Sequence, residues 1–146
     1  MNMSAEVRVL APGKVNFNLN VLPPRADGFH NIESIFQTVS LFDELTVCLE
    51  KGYNTCAVEC QEMTLPESNT ITSAYSAFCS LTGFNQSVKV NLVKKIPSGG
   101  GLGGGSSDAA AFVKALSLLS GITVSPEMAD RISEKVGSDV FFFLHC

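Results

Sequence analysis

A chain of 146 residues suits one domain of ordinary size, and 45% hydrophobic against 16% charged residues excludes a disordered chain. Ten Lys and Arg against 14 Asp and Glu leave a formal charge of −4, the wrong sign for a general nucleic-acid surface. Apolar runs such as Val140–Leu144 fall far short of the ~18 residues a membrane span needs. The first residues also lack the apolar stretch of a secretory leader, so the expectation is a cytoplasmic protein with no membrane partner.

Along the chain the pattern is mixed α and β. Val7 and Val9 predict a first strand. Val15, Phe17, Leu19 and Val21 alternate with Lys14, Asn16, Asn18 and Asn20, which predicts a second strand with one polar face. Pro23 through Gly28 is turn chemistry. Between Asn31 and Val39 the residues Ile32, Ile35, Phe36 and Val39 fit a helix, while β-branched Ile35 and Thr38 fit a strand, and both readings stand. Leu45, Val47 and Leu49 alternate as a strand. Ser68 is positioned to cap a helix carrying Ile71, Tyr75, Phe78 and Leu81 and stopping at Gly83. Val88 through Leu92 alternate again. Ser106, Ser107 and Asp108 offer N-caps for a helix that runs through Phe112, Val113, Leu116 and Leu119 to Gly121. A further helix opens at Ser125-Pro126 and ends near Val136, with Gly137 as its stop. After Asp139, Val140–Leu144 reads as a buried strand. The five cysteines, Cys48, Cys56, Cys60, Cys79 and Cys146, contain no C-x2-C pair and read as free thiols. No repeat and no domain boundary is visible.

Six of the 12 glycines fall in Gly99–Gly105, between a strand and the start of a helix. Main-chain N–H groups without side chains in the way, directed at a helix N-terminus, form an anion cradle suited to a polyphosphate. The dinucleotide pattern G-x-G-x-x-G fits Gly99, Gly101 and Gly104, yet no acid closes a following strand. The Walker A pattern fails at its lysine, where Ser106 stands. A glycine turn shaped for packing alone is the bland alternative to the cradle, and the backbone entropy that six glycines lose argues against it. Cationic charge near such a cradle could come from Lys14, which a solvated polar face explains equally well. Asp139 is either a cap or a catalytic carboxylate. Together, the lysine and the aspartate would suit phosphoryl transfer to a hydroxyl, the carboxylate accepting the proton and the ammonium screening developing charge.

Three stretches together resemble the GHMP kinases, the superfamily of galactokinase, homoserine kinase and mevalonate kinase. Ala11-Pro12-Gly13-Lys14-Val15-Asn16 is similar to the N-terminal P-x-K-x-N element, with Gly13 where Ala or Ser is usual. Pro97 through Ala110 resembles the superfamily's phosphate loop. Arg25-Ala26-Asp27-Gly28-Phe29-His30, running into Phe36-Gln37, resembles an element of the branch that phosphorylates the 2-hydroxyl of 4-diphosphocytidyl-2-C-methyl-D-erythritol in the non-mevalonate isoprenoid pathway. The resemblance implies an α+β fold: a mixed sheet, helices on one side and a glycine-rich loop at a helix N-terminus. It implies that Lys14 and Asp139 are the catalytic pair. Asn16, Phe29 and His30 would contact the cytidine diphosphate substrate, the aromatic ring stacking on cytosine. Asn69, Ile71 and Lys94 would surround adenine. Pro97, Ser98, Gly99, Gly100, Gly101, Leu102, Gly103, Gly104, Gly105, Ser106 and Ser107 would wrap the phosphates of ATP, with Ser106 or Ser107 able to meet Mg²⁺. Residues 1–146 would then be the N-terminal, ATP-binding domain, and the family's C-terminal domain lies outside this chain. A nucleotide-binding half without turnover and another small-molecule kinase of the superfamily are the alternatives. One departure is Phe141, which stands where the family has proline after the aspartate.

Overall fold

The computed structural model describes residues 5–28 and 30–146, with side chains at all of these except 18–21 and 30–34. Its first two strands are long: β1 (Glu6–Pro24) and β2 (His30–Tyr53). They form an antiparallel ribbon across the turn in which the Gly28 N–H donates to Arg25 C=O at 3.0 Å. The two strands expected near the N-terminus are therefore one strand with an irregularity. The segment 31–39, open between helix and strand, is strand, because β1 lies along it and pairs with its backbone.

Strand β3 (Cys56–Cys60) then leads through a loop to helix α1 (Thr70–Thr82) and strand β4 (Gln86–Val93). The sheet order is β1-β2-β4-β3, with β3 and β4 parallel and the other pairs antiparallel. β3 is absent from the sequence reading, although Cys56, Val58 and Cys60 do alternate as its half-buried face. Helices α2 (Gly104–Ser120), α3 (Pro126–Val136) and α4 (Ser138–Leu144) complete the chain. Leu45, Val47, Val88 and Val90 of the sheet and Ile71, Phe78, Phe112, Leu116 and Ile132 of the helices form one buried core. This is the expected α+β arrangement, a mixed sheet covered by helices on the face that carries the alternating apolar residues.

Three local readings change. The cap of α1 is Asn69 rather than Ser68: its Oδ1 accepts from the N–H groups of Ile71 and Thr72, both at 3.0 Å, and Thr72 Oγ1 accepts from the Asn69 N–H at 2.9 Å. α2 begins before its expected Ser-Ser-Asp caps, at Gly104, with Gly103 left-handed at φ 70° and no side chain capping the first turn. The run after Asp139 is a helix, not a strand. Val140 and Phe143, three apart, turn into the core while Phe141 stays 43% exposed, so helical periodicity settles a run whose composition favours β.

Candidate active site

Lys14 is 5% exposed, which no solvated polar face allows. The reason lies in the ribbon. Val7, Val9 and Ala11 face the helices, and the register of β1 on β2 shifts between Pro12 and Lys14. That irregularity reverses which parity points inward, so Lys14 follows Ala11 into the core side. Its Nζ donates to Asn16 Oδ1 at 3.1 Å, lies 4.8 Å from the centre of the Phe36 ring, and sits 3.7 Å from Asp139 Oδ2. The Phe36 ring in turn meets Phe142 of α4 edge-on, 5.1 Å between centroids. Asp139 occupies the first turn of α4 and is the more open partner, with 34% of its side chain exposed.

The glycine loop closes on this pair. The Lys14 N–H donates to Leu102 C=O at 2.9 Å. A Cβ at Gly103 would stand 3.2 Å from Lys14 Cε and 3.1 Å from Phe143 Cε2. Only a glycine lets the loop descend so near the lysine stem. No side chain caps α2, so the N–H groups of its first turn, Gly104, Gly105 and Ser106, stand without a side-chain cap at the positive end of the helix dipole.

Beside the loop opens a cleft of about 240 Å³, lined by Pro97 through Gly105 together with Asn69, Ile71 and Lys94. Met63, Leu65 and Leu92 add an apolar wall of the kind that receives a flat base. Ser106 and Ser107 do not line it. Ser107 is buried with its hydroxyl unpartnered, and Ser106 Oγ lies next to Gly137, 3.6 Å from where a Cβ would be. Asn69 is at once a cleft residue and the cap of α1. Phe29 and the side chain of His30 lie outside the described residues. The Arg25-Ala26-Asp27-Gly28 element that precedes them forms the turn between β1 and β2, where Arg25 Nη2 and Asp27 Oδ2 stand 2.8 Å apart.

Thr70 and Asp43 carry no sequence signal, and Lys94 and Asp108, expected near adenine and as a cap, meet in an ion cluster that the sequence does not announce. Thr70 Oγ1 donates to Gly105 C=O at 2.9 Å, tying α1 to the start of α2. Asp43, fully buried on β2, accepts from the N–H groups of Lys95 and Ile96 at 2.7 and 2.9 Å. Lys94 Nζ donates to Asp43 Oδ2 at 2.6 Å and to Asp108 Oδ2 at 3.0 Å. Burial works to raise the Asp43 carboxyl, but hydrogen bonds from Asp108, Lys94 and the two backbone N–H groups outweigh it and hold its pKa below the usual range. For Lys94, burial opposes the charge, and the two carboxylates overcome it and raise the pKa. Asp108 is pushed up to about 8, first by burial and then by the neighbouring Asp43 carboxyl.

The described residues contain no cluster of three His, Cys, Asp or Glu side chains that could hold a metal. None of their helices is long and apolar enough to cross a membrane.

Comparison with known proteins gives the family and the fold. Residues 69–146 match the GHMP kinases N terminal domain. The chain is 46% identical over 134 residues to 4-diphosphocytidyl-2-C-methyl-D-erythritol kinase of Treponema pallidum, spanning 92% of this chain and 46% of that protein. It is 42% identical over 144 residues to the protein of the same name from Fervidobacterium nodosum, spanning 99% and 50%. A crystal structure of 4-(cytidine 5'-diphospho)-2C-methyl-D-erythritol kinase superposes with a TM-score of 0.79 at 36% identity, covering 95% of this chain and 49% of the other. The chain belongs to the GHMP kinase family, whose N-terminal domain it matches. Membership of a kinase family implies use of ATP. The chain spans about half the length of the relatives it matches.

Proposed function

We propose that this chain is the ATP-binding part of a kinase that phosphorylates the 2-hydroxyl of 4-diphosphocytidyl-2-C-methyl-D-erythritol, a step toward isoprenoid precursors. On this reading residues 1–146 are the N-terminal domain, and a second domain of the relatives' kind supplies the far wall of the alcohol's cleft. The observation that carries the proposal is the Lys14–Asp139 pair, 3.7 Å apart, with Lys14 hydrogen-bonded through its backbone to the phosphate loop.

The chemistry follows from that placement. The N–H groups at the start of α2 hold the triphosphate. As the alcohol oxygen bonds to the γ-phosphorus and the bond to the β,γ-bridging oxygen breaks, ADP leaves with the electron pair and the alcohol proton passes to Asp139. The Lys14 ammonium, buried against the loop, screens the charge that develops. Mg²⁺, when bound with ATP, would neutralise charge on the phosphates. Ser106 Oγ, next to Gly137 at the start of α4, is the hard oxygen donor that suits it better than the enclosed Ser107. Asn16 holds Lys14 and stands where the alcohol would be contacted, and Phe29 and His30 read the cytosine. Ala at either of these two positions raises KM for the cytidine substrate more than KM for ATP.

The test is Asp139→Asn in the protein that carries this chain. Turnover, followed as ADP release, falls by about 10²–10⁴-fold, the usual contribution of a positioned base. ATP binding by titration stays near that of the parent. Full activity in the variant refutes the base. A parent that binds ATP but transfers phosphate to no alcohol refutes the kinase reading in favour of nucleotide binding alone. Preference for an alcohol without a cytidine group refutes the substrate.

A further inference from the structure

We infer that Asp43, Lys94 and Asp108 form a staple that sets the shape of the phosphate loop before nucleotide arrives, which makes Asp43 and Asp108 positioning residues for ATP. The inference rests on the reading that this loop holds ATP.

The three side chains come from different elements. Asp43 belongs to β2, Lys94 is the residue after β4, and Asp108 lies in the second turn of α2. Lys94 and Asp108 are 14 residues apart, and their 3.0 Å contact closes the whole glycine loop into a ring. Glycine loses more backbone freedom on ordering than any other residue, so a loop this rich in it gains most from having its ends held. Order already present in the free protein is order that binding need not supply.

Asp43 makes the closure two-sided. One of its oxygens takes the Lys94 ammonium at 2.6 Å, and the other takes the N–H groups of Lys95 and Ile96, the two residues that lead into Pro97. A single enclosed carboxylate thus fixes both the lysine and the path by which the chain leaves the sheet. The far end is equally specific. A Cβ on Gly104 would lie 3.1 Å from Lys94 Nζ and 3.1 Å from Ile96 Cγ2, so the staple passes directly against the first residue of α2. The N–H of that residue is one of the cradle's donors. Apolar residues of like volume commonly match or exceed a buried ionic cluster in stability. What an apolar cluster lacks is directional bonding that holds Lys94–Ile96 and the start of α2 at one spacing.

The experiment compares Asp108→Ala with Asp108→Asn, whose carbonyl still accepts from Lys94. Amide hydrogen exchange is read at residues 99–107 of the nucleotide-free protein, followed by steady-state kinetics. In Asp108→Ala the loop amides exchange about tenfold faster while those of residues 88–92 keep their protection. KM for ATP rises about tenfold, with kcat and KM for the alcohol within twofold of the parent. Asp108→Asn stays near the parent in every measurement. If Asp108→Ala also loses protection in β4, Lys94→Met replaces it, and loop exchange alone is compared. Unchanged loop exchange in the folded variant overturns the staple, and so does an Asn variant as impaired as the Ala variant. Failure of the parent itself to bind ATP overturns the underlying reading as well, which separates the two.

Discussion

Alanine placed at three positions of the glycine loop gives a graded test of its geometry. Gly100 has no left-handed backbone, and a Cβ there would meet nothing nearer than Pro97 O at 3.8 Å. Gly101 has φ 72° with no atom within 4 Å of the added Cβ. Gly103 combines φ 70° with contacts of 3.1 Å to Phe143 Cε2 and 3.2 Å to Lys14 Cε. The left-handed region costs a residue with a Cβ about 1–2 kcal/mol. Crowding into a filled site adds about 1–3 kcal/mol. Neither neighbour of Gly103 can easily yield: Phe143 is 2% exposed, and the lysine stem is held by Asn16, Asp139 and the Phe36 ring. Gly100→Ala therefore changes stability by less than about 0.5 kcal/mol. Gly101→Ala costs about 1–2 kcal/mol and Gly103→Ala about 2–5 kcal/mol. At about 3 °C per kcal/mol, the Tm by circular dichroism falls by roughly 3–6 °C in the second and 6–15 °C in the third. Gly103→Ala also displaces the lysine and loses turnover beyond what its loss of folded protein explains. Equal Tm values for Gly101→Ala and Gly103→Ala refute the close approach of loop and lysine. A Gly103→Ala protein with parental Tm and turnover refutes the whole construction of the site.

Lys14→Met removes a buried ammonium whose partner, Asp139, keeps 34% of its side chain in solvent, so the Tm stays near the parent. The same change lowers kcat by about 10²–10³-fold in an ADP-release assay, the scale of one lost charge-stabilising group. Asn69→Ala strips two hydrogen bonds from the first turn of α1 and lowers stability by about 1 kcal/mol, seen as a Tm drop of about 3 °C. Burial and the neighbouring Asp43 push the Asp108 carboxyl up from an ordinary 3.8 to about 8, so between these values the native state binds the proton more firmly than the unfolded chain does. Its contribution to stability therefore falls as pH rises across that window, by at most about 1.4 kcal/mol per unit. Asparagine cannot titrate. The Tm of Asp108→Asn relative to the parent accordingly rises from pH 5 to pH 8, and parallel pH profiles refute the raised pKa of Asp108.

What the sequence makes legible is the part whose signal is local. Glycine density between an alternating strand and an amphipathic helix marks a built loop rather than a linker, and Ser125-Pro126 marks the start of α3 wherever the chain goes next. The cap of α1 is misplaced by one residue because Ser68 and Asn69 are both good caps, and only the path of the preceding loop decides between them. Val140–Leu144 reads as a strand because five apolar residues in a row carry no polar marker of period. Packing against the helical layer supplies the period that composition lacks. Lys14 is the instructive case. Its residue type and its spacing from Asn16 are visible, yet strict alternation from Val7 would turn it away from the helices. A register shift between two strands, set by their pairing, reverses that. The staple is further from reach still. Asp43 and Lys94 lie 51 residues apart and Lys94 and Asp108 lie 14 apart, with no shared period or motif. Only when β2 and β4 pair and α2 folds back over them do the three meet. The residues that would do the chemistry thus announce themselves by type and short-range pattern. Those that hold the site in shape emerge only from topology, because an ordinary buried lysine or aspartate gains its meaning from which distant carboxylate the fold places beside it.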